Sequence, residues 1–120
     1  MRTLLFLLLI LPGVSLGQKI YLIDNGTKID QKAKAALNYD YDLVSKDSAD
    51  YSIEIFFTGA YSLGKGYRGH YRLYDRKGKE IYRSEEWKAG GYGGVAENYI
   101  IKKAVKKDLP KALKSLANTK

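Results

Sequence analysis

The stretch YSIEIFFTG, residues 51–59, does most to limit what this chain can become. Ile53, Ile55 and Phe57 alternate with Ser52, Glu54 and Thr58. Side chains on a strand point to opposite faces at successive positions, so this spacing describes a strand with one buried and one wet face. The next segment repeats the pattern: Tyr67, Gly69, Tyr71 and Leu73 share one side, and Arg68, His70, Arg72 and Tyr74 the other. DRKG then supplies a turn, with Gly78 suited to a positive φ. The return strand, from Lys79 to about Glu86, alternates poorly, and its register is left open. A meander of half-polar strands needs an apolar cover on one face only.

Two helices can provide that cover. Thr27 offers an N-cap oxygen with Asp30 in the capping-box position, after the turn signal Asn25-Gly26. Ile29, Ala33, Ala36 and Leu37 then form one apolar stripe of a helix ending near Asn38. At the far end, Ile101, Val105, Leu109, Ala112 and Leu116 fall within an arc of about 80°. Lys102, Lys103, Lys106, Lys107, Lys111 and Lys114 take the remaining flank. Pro110 should kink this helix, or restart it with Asp108 as a cap, because proline lacks the N–H its turn needs. KIYLID (Lys19–Asp24) reads as a first short strand, and a brief extended piece fits at Tyr41–Val44. The expected fold is α+β: a two-layer sandwich with a mixed four-stranded sheet in the order β-α-β-β-β-α, both helices on one face.

Residues 1–17 read as a secretory signal peptide: Arg2, an apolar run from Leu4 to Leu11, Pro12-Gly13, then Ser15 and Gly17 before a cleavage point at Gln18. The apolar run is short of the ~20 residues that span a bilayer. There is no cysteine, so an exported chain of this sequence rests on burial without disulfides, and Gln18 stands where a lipoprotein would carry its lipidated thiol. Residues 18–120 suffice for one domain and not two. The chain is basic, with 21 Lys and Arg against 13 Asp and Glu, and the surplus lies beyond Leu63. That asymmetry fits an anionic partner: nucleic acid, lipopolysaccharide, a membrane surface or an acidic protein.

Gly91-Tyr92-Gly93-Gly94-Val95-Ala96 matches the spacing of a dinucleotide-binding loop. That chemistry needs a parallel βαβ unit and a ribose-binding acid about 20 residues on. Here the preceding strand belongs to a hairpin, no strand follows, and the nearest acid is Asp108, inside the helix. Glu97, in the expected first helical turn, would repel a phosphate. The loop reads as a conformational connector, with no dinucleotide and no other cofactor expected. Asp40, Asp42, Asp47 and Asp50 lack the spacing of a calcium loop and read as a solvated acidic segment. Asn25-Gly26-Thr27 and Asp47-Ser48-Ala49 resemble glycosylation acceptors at Asn25 and Ser48.

With no cysteine and a single histidine, little is present for catalysis. The candidate ligand-binding set is the wet sheet face: Arg68, His70, Arg72 and Tyr74, with Tyr82 joining them. Arginine between aromatic rings can grip phosphates or sugars while stacking on rings. A second candidate is the basic helix flank of Lys102, Lys103, Lys106 and Lys107. KIYLID, DSADYSIEIFF, the LYDRKGKEIYRS hairpin and the terminal helix together resemble small exported bacterial domains of the kind seen in the N-terminal domain of TolB and the periplasmic domain of CsgG. The resemblance implies an envelope-associated binding or assembly role and carries no functional residue across. The expected function is therefore a non-catalytic periplasmic or secreted domain that binds an envelope protein or an anionic polymer. The alternative is a small phosphodiesterase or ribonuclease-like enzyme using Glu54, His70, Arg68 and Arg72.

Overall fold

A computed structural model describes residues 18–60, 66–90 and 93–118. The expected signal peptide, and Gly91 and Tyr92 of the glycine loop, lie outside the described residues. The strands are β1 (Lys19–Leu22), β2 (Asp42–Leu43), β3 (Tyr51–Ala60), β4 (Gly66–Tyr74), β5 (Glu80–Arg83) and β6 (Trp87–Ala89). Helix α1 is Lys28–Asp40. The terminal helix comprises α2 (Gly93–Ile101), a π-helical stretch Lys102–Asp108, and α3 (Leu109–Asn118). The fold is an α+β sandwich with the strand order β2-β1-β3-β4-β5, and β6 also pairs with β4. β1 runs parallel to β2 and β3, while β3, β4 and the return strands are antiparallel.

The sheet holds six strands where four are expected, for two local reasons. The extended piece after α1 pairs with β1 as β2 and adds an edge. The return strand is divided into β5 and β6 by an irregularity. Arg72 pairs with Arg83 and Gly69 with Trp87, so three steps along β4 face four along the return. The extra residue falls at Glu85 and Glu86, opposite His70. Ser84 bridges the gap, its Oγ accepting from the Tyr71 N–H at 3.0 Å and donating to the Glu85 carbonyl at 2.8 Å. A second shift leaves Ile81 unpaired between Tyr82, opposite Leu73, and Glu80, opposite Tyr74. Each extra residue reverses which face the following side chains take, which is why the return strand shows no regular alternation.

Tyr82 thereby lands on the face opposite to the expected one. It lies beside Leu73 on the helix side, 5.7 Å from the Tyr71 ring. Both hydroxyls donate to Asp108 Oδ2, Tyr71 at 2.6 Å and Tyr82 at 2.8 Å. The restart at Pro110 does not occur either. Asp108 serves the two tyrosines, and Leu109 keeps helical dihedrals while its N–H reaches the Ala104 carbonyl, five residues back. This wider π register changes the carbonyl pattern just before the proline, where an α-helical ladder would meet its ring.

The apolar cover follows the expected stripes. Ile29, Ala33 and Leu37 of α1, and Ile101, Val105, Leu109 and Ala112 of the terminal helix, are buried against Ile20, Ile53, Tyr71 and Leu73. The cap at Thr27 accepts from the Asp30 N–H at 3.2 Å, and the buried Asp30 carboxylate reaches back past the cap to the Asn25 N–H at 2.8 Å. Helix α2 begins at Gly93, so Glu97 sits beyond the first turn, where it pairs with Lys32 at 3.0 Å rather than facing a phosphate site.

Gly69 lets α2 come close to the sheet. A Cβ there would stand 2.5 Å from Ile100 Cγ2 and 3.2 Å from the Phe56 carbonyl oxygen. We expect Gly69→Ala to destabilise the fold by about 1–3 kcal/mol through overpacking. In a urea-denaturation cycle with Ile100→Ala, the double variant should lose less than the two single losses combined, because the shorter side chain removes the clash.

Alkaline stability reads the helix-to-sheet tie. Burial, then the bond to Asp108, pushes Tyr82 up from 10.0 to about 12. The same causes push Tyr71 higher still. Both hydroxyls hold their protons longer folded than unfolded, so their contribution is full below about pH 10; that of Tyr82 is lost as pH rises through about 12 and that of Tyr71 only above it. Unfolding free energy measured from pH 8 upward should fall across that window, and Tyr71→Phe with Tyr82→Phe should flatten the slope.

Candidate functional site

Both helices cover one face of the sheet, leaving the other open. Register places Glu54 opposite Arg72, Phe56 opposite His70 and Thr58 opposite Arg68 on that face. Lys88 follows beside Arg68, Arg83 beside Arg72, and Glu80 beside Tyr74. The structure therefore brings Arg68, His70, Arg72 and Tyr74 together, with Tyr82 excluded.

At the centre of the face is Phe56. The His70 ring stacks on it with centroids 4.7 Å apart and planes 8° from parallel. The Arg72 guanidinium carbon lies 4.4 Å from the Phe56 centroid, a cation–π contact. Around this stack the charges are partly paired. Arg72 Nε stands 3.6 Å from Glu80, Arg83 lies 3.1 Å from the same carboxylate, and Arg68 lies 3.9 Å from Glu86. Exposed pairs of this kind contribute little and yield readily to a competing anion. Glu54 accepts from the Tyr74 hydroxyl at 2.8 Å. Glu54 stands opposite Arg72 and His70 opposite Phe56, one row along, and the Tyr74 hydroxyl occupies Glu54 Oε1.

Phe56 is absent from the candidate set drawn from the sequence, although a signal for it existed. In a strict alternation its position should be polar, and a phenylalanine at an outward position marks a contact surface. Tyr21, between inward Ile20 and Leu22, carries the same signal.

The basic helix flank is less unified. Lys106 pairs with Asp40 at 2.7 Å and lies 4.7 Å from the centroid of the exposed Tyr39 ring. Lys103 lies 5.6 Å from the Tyr99 centroid, while Lys102 and Lys107 are exposed. The acidic segment disperses as well, with Asp40 on Lys106 and Asp50 on Arg76 at 3.0 Å. The bond to Arg76 holds the Asp50 carboxyl below its ordinary range. Among the described residues no group of three or more potential ligands could hold a metal ion, and no helix is long and apolar enough to cross a membrane.

No protein-family model matches the sequence, and no curated protein matches it. Among solved structures, the chain is similar to the solution NMR structure of uncharacterized lipoprotein B from Nitrosomonas europaea. The identity is 16% over 80% of this chain and 79% of that one, with a TM-score of 0.40. It is also similar to the crystal structure of TolB from Acinetobacter baumannii, at 17% identity over 70% of this chain, with a TM-score of 0.44. That match spans 28% of the TolB chain. Neither likeness transfers a residue to this chain.

His70 reports on the open face. Its pKa is pushed below the ordinary 6.5, first by burial and then by the Arg72 charge, with Arg83 acting alike and Glu86 and Glu80 opposing. A histidine depressed on folding contributes stability that is full above pH 6.5 and is lost as pH falls below it. We expect the His70 ring proton signals to titrate below 6.5 by NMR. Phe56→Ala and Arg72→Ala should each raise the midpoint, and Glu86→Gln should lower it further.

Proposed function

We propose that this chain is a non-catalytic exported domain, periplasmic or secreted, whose open sheet face binds an anionic polymer of the cell envelope. The observation that carries this reading is the Arg72–Phe56–His70 arrangement on a face that no described helix covers. A guanidinium held over a ring on a strand keeps a fixed direction, loses little freedom on binding, and can present its donors to phosphate or carboxylate groups. Arg68, Arg83 and Lys88 extend the positive character along the face, against Glu54, Glu80 and Glu86. Export is supported by the leader-like residues 1–17. An acidic envelope protein is the other partner that the same surface would suit.

The test is a binding panel of nucleic acid, lipopolysaccharide and anionic vesicles at low ionic strength. One of these should bind, and binding should fall steeply with salt as screening shortens to ~3 Å at 1 M. Arg68→Ala with Arg72→Ala should weaken it more than Lys103→Ala with Lys107→Ala, because the lysines are hydrated point charges on flexible stems. Absence of any salt-sensitive binding would leave the basic surplus as a solubility device.

A further inference from the structure

At the turn end of the open face, next to Arg72, the register builds a slot. Tyr21 on β1, Ser52 on β3 and Tyr74 on β4 stand in one cross-strand row. Ser52 is small and nearly buried, so the two tyrosines form walls above a serine floor. The space between them is a cavity of ≈ 310 Å³ that also touches Lys46 and Arg76. A volume of that order, with aromatic walls and polar groups at the floor and rim, suits a small ligand.

We propose that this slot binds one acidic pyranose residue, a sugar ring carrying a carboxylate. The width argues for a sugar. Two strand spacings separate the wall residues, roughly 9.6 Å from row to row. A flat aromatic ring between two others fills about 7 Å, because carbon contacts settle at about 3.5 Å on each side. A chair-shaped ring, with C–H bonds above and below its mean plane, holds each wall about 1 Å further off and fills the gap. The polar atoms argue the same way. The Tyr74 hydroxyl bonds Glu54 at 2.8 Å, which fixes that wall. The Tyr21 hydroxyl and the Lys46 ammonium have no side-chain partner among the described residues, and Ser52 Oγ lies at the floor.

The carboxylate is assigned from the rim. Lys46 sits exposed on the 3-10 turn Lys46–Ser48. Arg76 gives one nitrogen to Asp50 at 3.0 Å and has further N–H groups to offer. The other acid at the rim, Asp75, is occupied by the Lys77 and Lys79 N–H groups at 2.9 and 3.0 Å. An incoming anion would therefore meet two cations beside two carboxylates that are already engaged, Asp50 by Arg76 and Asp75 by backbone N–H groups. The slot shares Tyr74 with the open-face row, while its floor at Ser52 and its rim at Lys46 and Arg76 lie outside that row.

The experiment is an NMR titration of the full mature chain with trigalacturonate, maltotriose and adenosine monophosphate. Trigalacturonate should shift the amide signals of Tyr21, Lys46, Ser52 and Tyr74, with a Kd on the order of 1 mM and at least about tenfold tighter than either other probe. Lys46→Ala, on an exposed turn where folding is not at stake, should abolish the preference for the acidic sugar over the neutral one. Tyr21→Ala should weaken the acidic sugar about tenfold, and Tyr21→Phe should keep most of the binding because the wall remains. Arg68→Ala, at the far end of the row, should leave slot binding within about twofold, which separates this result from that of the polymer panel. The proposal is overturned if the slot signals do not move, if adenosine monophosphate binds there as tightly as the acidic sugar, or if Lys46→Ala keeps the preference.

Discussion

The Asp108 carboxylate, accepting from two tyrosine hydroxyls, joins the helical layer to the sheet. Tyr71 is fully buried, and its oxygen would be costly to leave without a partner. Tyr82 comes from the return strand, where only three of the four residues of β5 pair with β4 before the ladder is interrupted. One acid thus fixes the end of the π-helical stretch, the central hairpin strand and the irregular return strand at once. The π register and the Tyr82 placement are both needed for the three groups to meet.

That meeting point has a consequence for the other side of the sheet. With α1 and the terminal helix drawn to the face of Ile53, Tyr71 and Leu73, neither covers the face of Phe56, His70 and Arg72. Its aromatic rings are screened instead by one another and by a guanidinium. Such an arrangement leaves the surface ordered without closing it. The irregularity opposite His70 adds to this, since it turns the return strand and brings Glu86 within 3.9 Å of Arg68.

The architecture was largely legible in the sequence, because strand alternation and helical stripes are local. Ile53, Ile55 and Leu73 on one side, and Ala33, Leu37 and Val105 on helical spacing, declare their faces without reference to anything distant. The turn at Gly78, with φ of 85°, and the cap at Thr27 are equally local and stand where their residue types place them. The open-face row of Arg68, His70, Arg72 and Tyr74 was legible for the same reason. Phe56 was hidden by reading the alternation as if it had no exception.

What the sequence by itself determined is which side chains share a face within each regular element, the number of layers, and the absence of disulfides. Tertiary structure decided what depends on pairing between elements. Tyr82 changed faces because Ile81 is skipped in the ladder, and a skipped residue depends on the partner strand rather than on its own neighbours. Asp108 became the tie between layers because two hydroxyls, 26 and 37 residues away, needed an acceptor that no local pattern announces. The slot between Tyr21 and Tyr74 exists only because β1 and β4 lie on either side of β3, and strand order follows from the packing of the whole sheet.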